Sequence, residues 1–400
     1  MTNQLNDCVS WLTSHTVKDH VPLYTSMDIR VHHDRYVVVD TNLFPAGFNN
    51  IHPSDYPGVS SAFSNWLTQY APKAQSILIV CEENTRNAFY LSHLHTLGTL
   101  LESAGFSVRM ATFLSNQPGT PDKPGFCHDA DHAIFHTDTG FPIQLWCLNH
   151  VLKEVAQGHY HADLAILNND LSDGLPFMLH HLSTPMYPSP LLGWYQRKKS
   201  DHFDAFHRVV TALNNAHQLP VNWFSCAHTV CDHVDITEAN DRERLAESIR
   251  QIQAISGCKV VFVKHDAGTY GMGVMAMSGG DDMVTLNRKG RNRLGTGKGG
   301  QAIHRYLVQE GVASTLTHNG RAAEWVVVNV GTQLVGAFLR VNDQKSELDN
   351  LNATGMGFVP MALSDIAPDV RQRLELAALI GIKAVCDEWQ AVKGGNEWVL

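Results

Sequence analysis

The sequence predicts an α/β protein in which an N-terminal open α/β domain precedes a second domain built on a glycine-rich hairpin. Three observations carry this expectation. Short apolar runs alternate with a helical pattern between Ser76 and Phe113, prolines cluster at 183–190, and a strand, a loop with three glycines and a second strand follow one another from Val260 to Met277.

Taken in order, Tyr36–Asp40 is a β-branched run that ends in the polar loop TNLFPAGFNN at 41–50, the pattern of a strand feeding a loop. Ser76–Cys81 (SILIVC) is a second strand with Glu82, Glu83 and Asn84 at its end; Asn87–Ala104 is helical and stops at Gly105; SVRMATF at 107–113 is again a strand. Ala162–Leu167 is a further strand, running into Asn168, Asn169 and Asp170. Such alternation gives an open parallel sheet, and open sheets gather their ligands at the carboxyl ends of the strands. The polar residues at those ends are therefore expected near a ligand.

The segment STPMYPSP at 183–190 breaks any regular element and sets the expected boundary between domains 1–185 and 186–400. Beyond it Arg197, Lys198 and Lys199 introduce a helix through Asn214, and Thr237–Ile255 is a second helix stopped by Gly257. KVVFVKHD, VMAM, MVTL, YLVQEGV, EWVVVNV and LVGAFLR then read as strands.

Composition narrows the function. A chain of 400 residues at 44% hydrophobic can bury more than one core, and a net charge of -9 disfavours nucleic acid or an anionic membrane as main partner. The N-terminus lacks the pattern of a signal peptide and no apolar stretch approaches the ~20 residues of a membrane span. A cytoplasmic location is expected. Cys226, His228, Cys231 and His233 are crowded enough to suggest zinc, but structural zinc sites bring together two separated pairs, so these are read as buried cysteines and surface histidines. The basic run NRKGRNRLGTGK at 287–298 is read as a solvated or ATP-side loop in preference to a nucleic-acid patch.

The strongest local signal is Lys264 at the end of a strand, followed by His265-Asp266-Ala267 and a loop containing Gly268, Thr269, Tyr270, Gly271 and Gly273. Bare backbone amides can approach phosphate oxygens closely. A P-loop or dinucleotide fingerprint would lead into a helix; here a strand follows, so the motif is a strand–loop–strand hairpin, either a structural hairpin with a glycine-rich tip or a phosphate-covering one. Downstream, Gln309 and Glu310 end a strand in polar residues, with Val312 beyond, and Arg340 precedes Glu347, Asp349, Asn350 and Asn352. An arginine to counter phosphate and oxygen donors for a hard cation are what nucleotide chemistry with Mg2+ requires.

The order of Lys264 with its glycine loop, Gln309-Glu310, and Arg340 with Asn350-Leu351-Asn352-Ala353 resembles the glutathione synthetase branch of the ATP-grasp superfamily. Ser26-Met27-Asp28-Ile29-Arg30, the 39–50 segment and the 263–273 segment resemble the proteobacterial glutamate-cysteine ligase family. The resemblance implies an ATP-grasp fold, a substrate-binding domain at 1–185 and a nucleotide-binding catalytic domain at 186–400. It implies ligation of glutamate to cysteine with ATP and Mg2+, through an acyl phosphate, as the first step of glutathione synthesis.

On this reading Lys264 and one of Lys198 or Lys199 meet the nucleotide phosphates, Gly268, Thr269, Tyr270, Gly271 and Gly273 close over ATP, and Gln309, Glu310 and Val312 hold adenine. Arg340 faces the transferring phosphoryl group, and Glu347, Asp349, Asn350 and Asn352 supply metal ligands. Arg30 would bind the glutamate α-carboxylate, Asp28 or Asp40 the α-amine, with Asn42, Asn49 and Asn50 completing that pocket. The alternatives are a ligase of the same chemistry with other substrates, such as glutathione synthetase, and a non-catalytic nucleotide-binding module.

Overall fold

The computed structural model describes residues 2–16, 20–83, 87–113, 131–267, 273–297, 300 and 302–393. The chain opens with helix α1 (Thr2–His15) and the strands β1 (Tyr24–His32) and β2 (Arg35–Asn42). Then come α2 (Tyr56–Tyr70), β3 (Ser76–Cys81), α3 (Ala88–Ser103), β4 (Ser107–Thr112), β5 (His132–His136), β6 (Pro142–Cys147), α4 (Leu148–Ala156), β7 (Leu164–Asn168) and β8 (Met186–Tyr187). The next stretch holds α5 (Lys199–His217), β9 (His228–Cys231), α6 (Ala239–Ser256), β10 (Val261–His265), β11 (Val274–Met277), α7 (Gly280–Val284), α8 (Arg288–Gly295) and β12 (Tyr306–Glu310). Strands β13 (Thr317–His318), β14 (Arg321–Val330), β15 (Gln333–Asn342) and β16 (Met356–Met361) precede the long helix α9 (Pro368–Lys393).

These elements build three sheets. The first, in the order β5-β6-β4-β3-β7-β8, is parallel except at its β5 edge. From Ile77 onward β3 is buried on both faces, which is why SILIVC reads as a continuous apolar run and not as an alternation. Helix α3 starts where expected, with the Asn87 side chain accepting from the Phe89 and Tyr90 amides.

The second sheet, β11-β10-β12-β9, is antiparallel. Lys264 pairs with Val274 across the expected hairpin. Leu245, Ile249 and Ile252 of α6 pack with Val261, Val263 and Val308 in a core of their own, and α6 ends on Gly257 in the left-handed conformation. The strand expected at MVTL is absent: Met283 and Val284 lie in α7, whose Met283 is buried in that core. The basic run at 287–298, expected as a loop, instead contributes α8, capped by the Asn287 side chain.

The third sheet runs β16-β15-β14-β1-β2, antiparallel throughout, and α9 packs against it together with α1 and α5. Here the expected boundary at 185/186 fails. Tyr24 pairs with Val330 and Ile29 with Trp325, so strands from both sides of the cut share one sheet and one apolar core. Along β1 the alternation decides the faces: Met27 and Ile29 enter that core, while Ser26, Asp28 and Arg30 face a cavity.

Candidate active site

A cavity of about 670 Å³ lies where the three sheets approach one another. Its floor is the charged face of the central sheet. Glu324 and Arg340 are opposite each other in register, as are Asp28 and Asp40. Arg340 Nη1 donates to Asp28 Oδ2 at 2.5 Å and to Glu324 Oε1 at 2.6 Å, and Nη2 reaches Asp28 Oδ1 at 3.2 Å. Arg30 Nε donates to Glu324 Oε2 at 2.9 Å. Burial pushes the Asp28 carboxyl above its ordinary range, with Arg340 opposing and Glu324 reinforcing the shift. Burial would also raise Glu324, but Arg30 and Arg340 outweigh it and hold that carboxyl down. Arg340 Nε is buried and has no hydrogen-bond partner among the described residues.

The second wall carries the lysines. Between Asp28 and Ile29 the pairing shifts by one residue, leaving Val39 as a bulge in β2, a device that re-aims backbone groups beside a site. Its carbonyl accepts from Lys264 Nζ at 3.1 Å. Lys264 also donates to Gln309 Oε1, and Gln309 Nε2 donates to Cys226 Sγ at 2.9 Å. Burial lowers Lys264 to about 8, with Asp40 opposing and Lys199 reinforcing. Lys199 forms an ion pair with Asp40 and lies 4.6 Å from the Trp194 ring centroid. Burial would raise Asp40, yet Lys199, Lys264 and Arg197 hold it low. Of the two lysines left open by the sequence, Lys199 lines the cavity and Lys198 is exposed at the head of α5.

The third wall is the carboxyl end of the parallel sheet. Glu82, Asn168 and Asp170 line the cavity with Asn42, Asn49 and Asn50 of the 41–50 loop. Glu82 Oε1 accepts from the Asp170 amide at 2.9 Å. Asn42 is engaged within its own loop, bonding both the amide and the carbonyl of Phe44.

Several expected positions are arranged otherwise. Four N–H groups of Arg30 are occupied, on Glu324 and on the carbonyls of Val312, Glu347 and Asp349, so its fork clamps two loops. Glu347 is exposed and contributes only that carbonyl, while the Asp349 carboxylate accepts from Ser346; neither lines the cavity, whereas Asn350 and Asn352 do. The Gln309–Glu310 backbone is paired with β10 on one edge and with His228 and Ala227 on the other, although both residues border the cavity. Glu310 is held by Arg35 at 2.8 Å. Val312 is buried beside Val37 and Phe203.

Gly268, Thr269, Tyr270 and Gly271 lie outside the described residues. Gly273 has φ of +63°, and a Cβ there would fall 2.2 Å from the His265 ring, so glycine is required. His265, unexpected in sequence, is buried against this turn and bonds the Leu294 carbonyl at 2.6 Å. The sequence reading missed Glu324 and Trp194; the only signal for Glu324 was an acid at the head of a strand otherwise apolar through Val328.

The profile of the family described as glutamate-cysteine ligase matches residues 1–378. Among solved structures, a protein of Methylobacillus flagellatus KT assigned as a gamma-glutamylcysteine synthetase aligns with a TM-score of 0.83 and 28% identity, covering 97% of this chain and 94% of that one. D-alanyl-alanine synthetase A of Vibrio cholerae O1 biovar eltor aligns at a TM-score of 0.35 with 11% identity, over 75% of this chain and 78% of that one, a likeness too low to carry an argument. No curated protein sequence matches. With its profile satisfied over nearly the whole length, the chain belongs to the glutamate-cysteine ligase family.

Proposed function

We propose that the chain joins the γ-carboxylate of L-glutamate to the amine of L-cysteine at this cavity, through γ-glutamyl phosphate, in the first step of glutathione synthesis. The observation that carries the reading is the convergence of Lys264, Lys199 and Arg340 on one cavity whose other wall is lined with asparagines and carboxylates. A carboxylate oxygen is a poor leaving group. Transfer of the ATP γ-phosphoryl group to it expels ADP, and attack of the cysteine nitrogen then forms the amide bond and expels phosphate. The protein has to hold three substrates, balance phosphate charge and exclude water.

We read the β10–β11 hairpin as an ATP-grasp lid and the 228–310 unit as the nucleotide end. Lys264 and Lys199 then hold phosphates, and Arg340 offers its unpartnered Nε to the transferring group. The amino-acid end is assigned to the 41–50 loop with Asn49 and Asn50, Asp28 taking the α-amine and Arg30 acting through the loops it clamps. Mg2+ fits the donor set: Asp40, Asn350 and Asn352 line the cavity, and carboxylate and amide oxygens are the ligands this ion takes. When bound, it would offset phosphate charge.

The test is ADP release by the purified protein with Mg2+ and ATP, supplying glutamate, cysteine, γ-glutamylcysteine and glycine singly and in pairs. Release that needs glutamate and cysteine together, with γ-glutamylcysteine found by mass spectrometry, is expected. A need for γ-glutamylcysteine with glycine would transfer the reading to another ligase, and silence with every pair would overturn it.

A further inference from the structure

The 41–50 loop is fastened by a buried polar network at the edge of the cavity, where His93, Asn168 and Tyr90 also border it. Its centre is His93 on α3, 1% exposed. The Phe48 amide donates to His93 Nδ1 at 3.3 Å, so Nδ1 carries no proton, and burial keeps the ring neutral by lowering it to about 4. His93 Nε2 must then be the protonated nitrogen, donating to Asn168 Oδ1 at 3.0 Å. With its oxygen thus accepting, Asn168 turns Nδ2 toward the Pro45 carbonyl, 3.0 Å away. The histidine tautomer and the amide orientation each determine the other.

Two backbone groups of the loop, Pro45 C=O and Phe48 N–H, are therefore pinned to β7 and α3. Between them Gly47 adopts φ of +106°, and a Cβ there would lie 3.2 Å from Asn50 Nδ2. The pinned turn leaves Asn49 and Asn50 facing the cavity. Tyr90 extends the network, bonding both oxygens of Asn168 at 2.9 and 3.0 Å and accepting from the Glu82 amide at 2.9 Å.

We propose that His93 and Asn168 are positioning residues that lock the 45–50 turn in the shape presenting Asn49 and Asn50 to the glutamate substrate. The proposal rests on the reading of this wall as the glutamate end of the cavity. A polar pair needed only for folding would change stability and leave substrate preferences alone.

The test uses the full chain with His93→Phe, His93→Gln and Asn168→Asp, reading KM for each substrate, kcat, and hydrogen–deuterium exchange of peptides spanning 44–51. His93→Phe keeps a ring beside Phe48 and removes both nitrogens. It should raise the glutamate KM about tenfold, the effect of losing a buried hydrogen bond, while kcat and the ATP KM stay within about twofold. Exchange across 44–51 should rise. His93→Gln, which offers an acceptor and a donor, should recover most of both effects. Asn168→Asp should repeat the phenotype through Pro45, and carries the test if His93→Phe does not fold. Unchanged exchange in both disruptive variants overturns the lock, and faster exchange with an unaltered glutamate KM overturns its role in presenting glutamate. Should the wild type consume no glutamate with cysteine, the functional reading fails while the exchange data still decide the lock.

Discussion

Lys264 on β10 and Gln309 on β12 are diagonal neighbours across two paired strands, and the lysine ammonium donates to the Gln309 amide oxygen 2.5 Å away. The amide is in turn oriented by its bond to Cys226. A buried ammonium is thus aimed by a neutral partner and keeps its charge for an anion.

Because burial brings Lys264 down to about 8, that charge disappears as pH rises through this value. The ATP KM should climb above pH ~8, and Lys264→Arg, which stays protonated, should flatten the climb. Lys264→Ala should raise the ATP KM at least about tenfold at pH 7 through loss of a charge-assisted contact. Steady-state kinetics across pH 6.5–9.5, roughly the range that brackets the lysine, check all three.

Arg340 balances Asp28 and Glu324 on the largely buried floor of the cavity. Arg340→Met should cost about 3 kcal/mol by leaving buried carboxylates unpaired, and should lower kcat by about a hundredfold as a positioned cationic donor is lost. Adding Asp28→Asn should recover part of the stability and none of the turnover. Urea unfolding and turnover of the single and double variants would separate the two effects.

Arg30 occupies four donors on Glu324 and three carbonyls. Arg30→Lys keeps the charge but loses the fork, so hydrogen exchange across 347–352 should rise and the Mg2+ requirement should increase. An unchanged exchange pattern, with a higher glutamate KM alone, would return Arg30 to direct contact with glutamate.

Behind β2, Arg197 and His202 grip Glu388 of α9 while both also bond Thr41. Burial alone would raise the Glu388 carboxyl, but Arg197 and its bond from His202 bring it down to about 2. A carboxylate lowered in the folded state stabilises above its ordinary value and loses that stabilisation as pH falls toward the folded one. The gap from the ordinary 4.5 corresponds to about 3 kcal/mol, present above pH ~5 and lost between ~5 and 2. Glu388→Gln should remove that part of the acid dependence in urea midpoints measured against pH.

Much of this architecture could be read from the chain because its signals are local. SILIVC, the Asn87 cap and the Gly257 stop each depend on neighbours within a few residues. So does the gathering of Glu82, Asn168 and Asp170 at strand ends, which follows from parallel topology once the alternation is recognised. MVTL misled because a four-residue apolar run has no period of its own; the core beneath it selects a helix. The 185/186 boundary misled because nothing local in YTSMDIRVH announces a partner strand at 321–330. Arg30 shows the same limit at the scale of one side chain, since the carbonyls it clamps come from distant loops.

That distance has a temporal side. Asp28 and Arg340 stand 312 positions apart, which at ribosomal speeds separates their appearance by about 15–60 s. The parallel sheet can form early, whereas the charged floor waits for its last strands and leaves Asp28 without its counterion meanwhile. On the proposed reading, a nascent or truncated product lacking β15 would carry the asparagine wall without the cation assigned to the phosphoryl group.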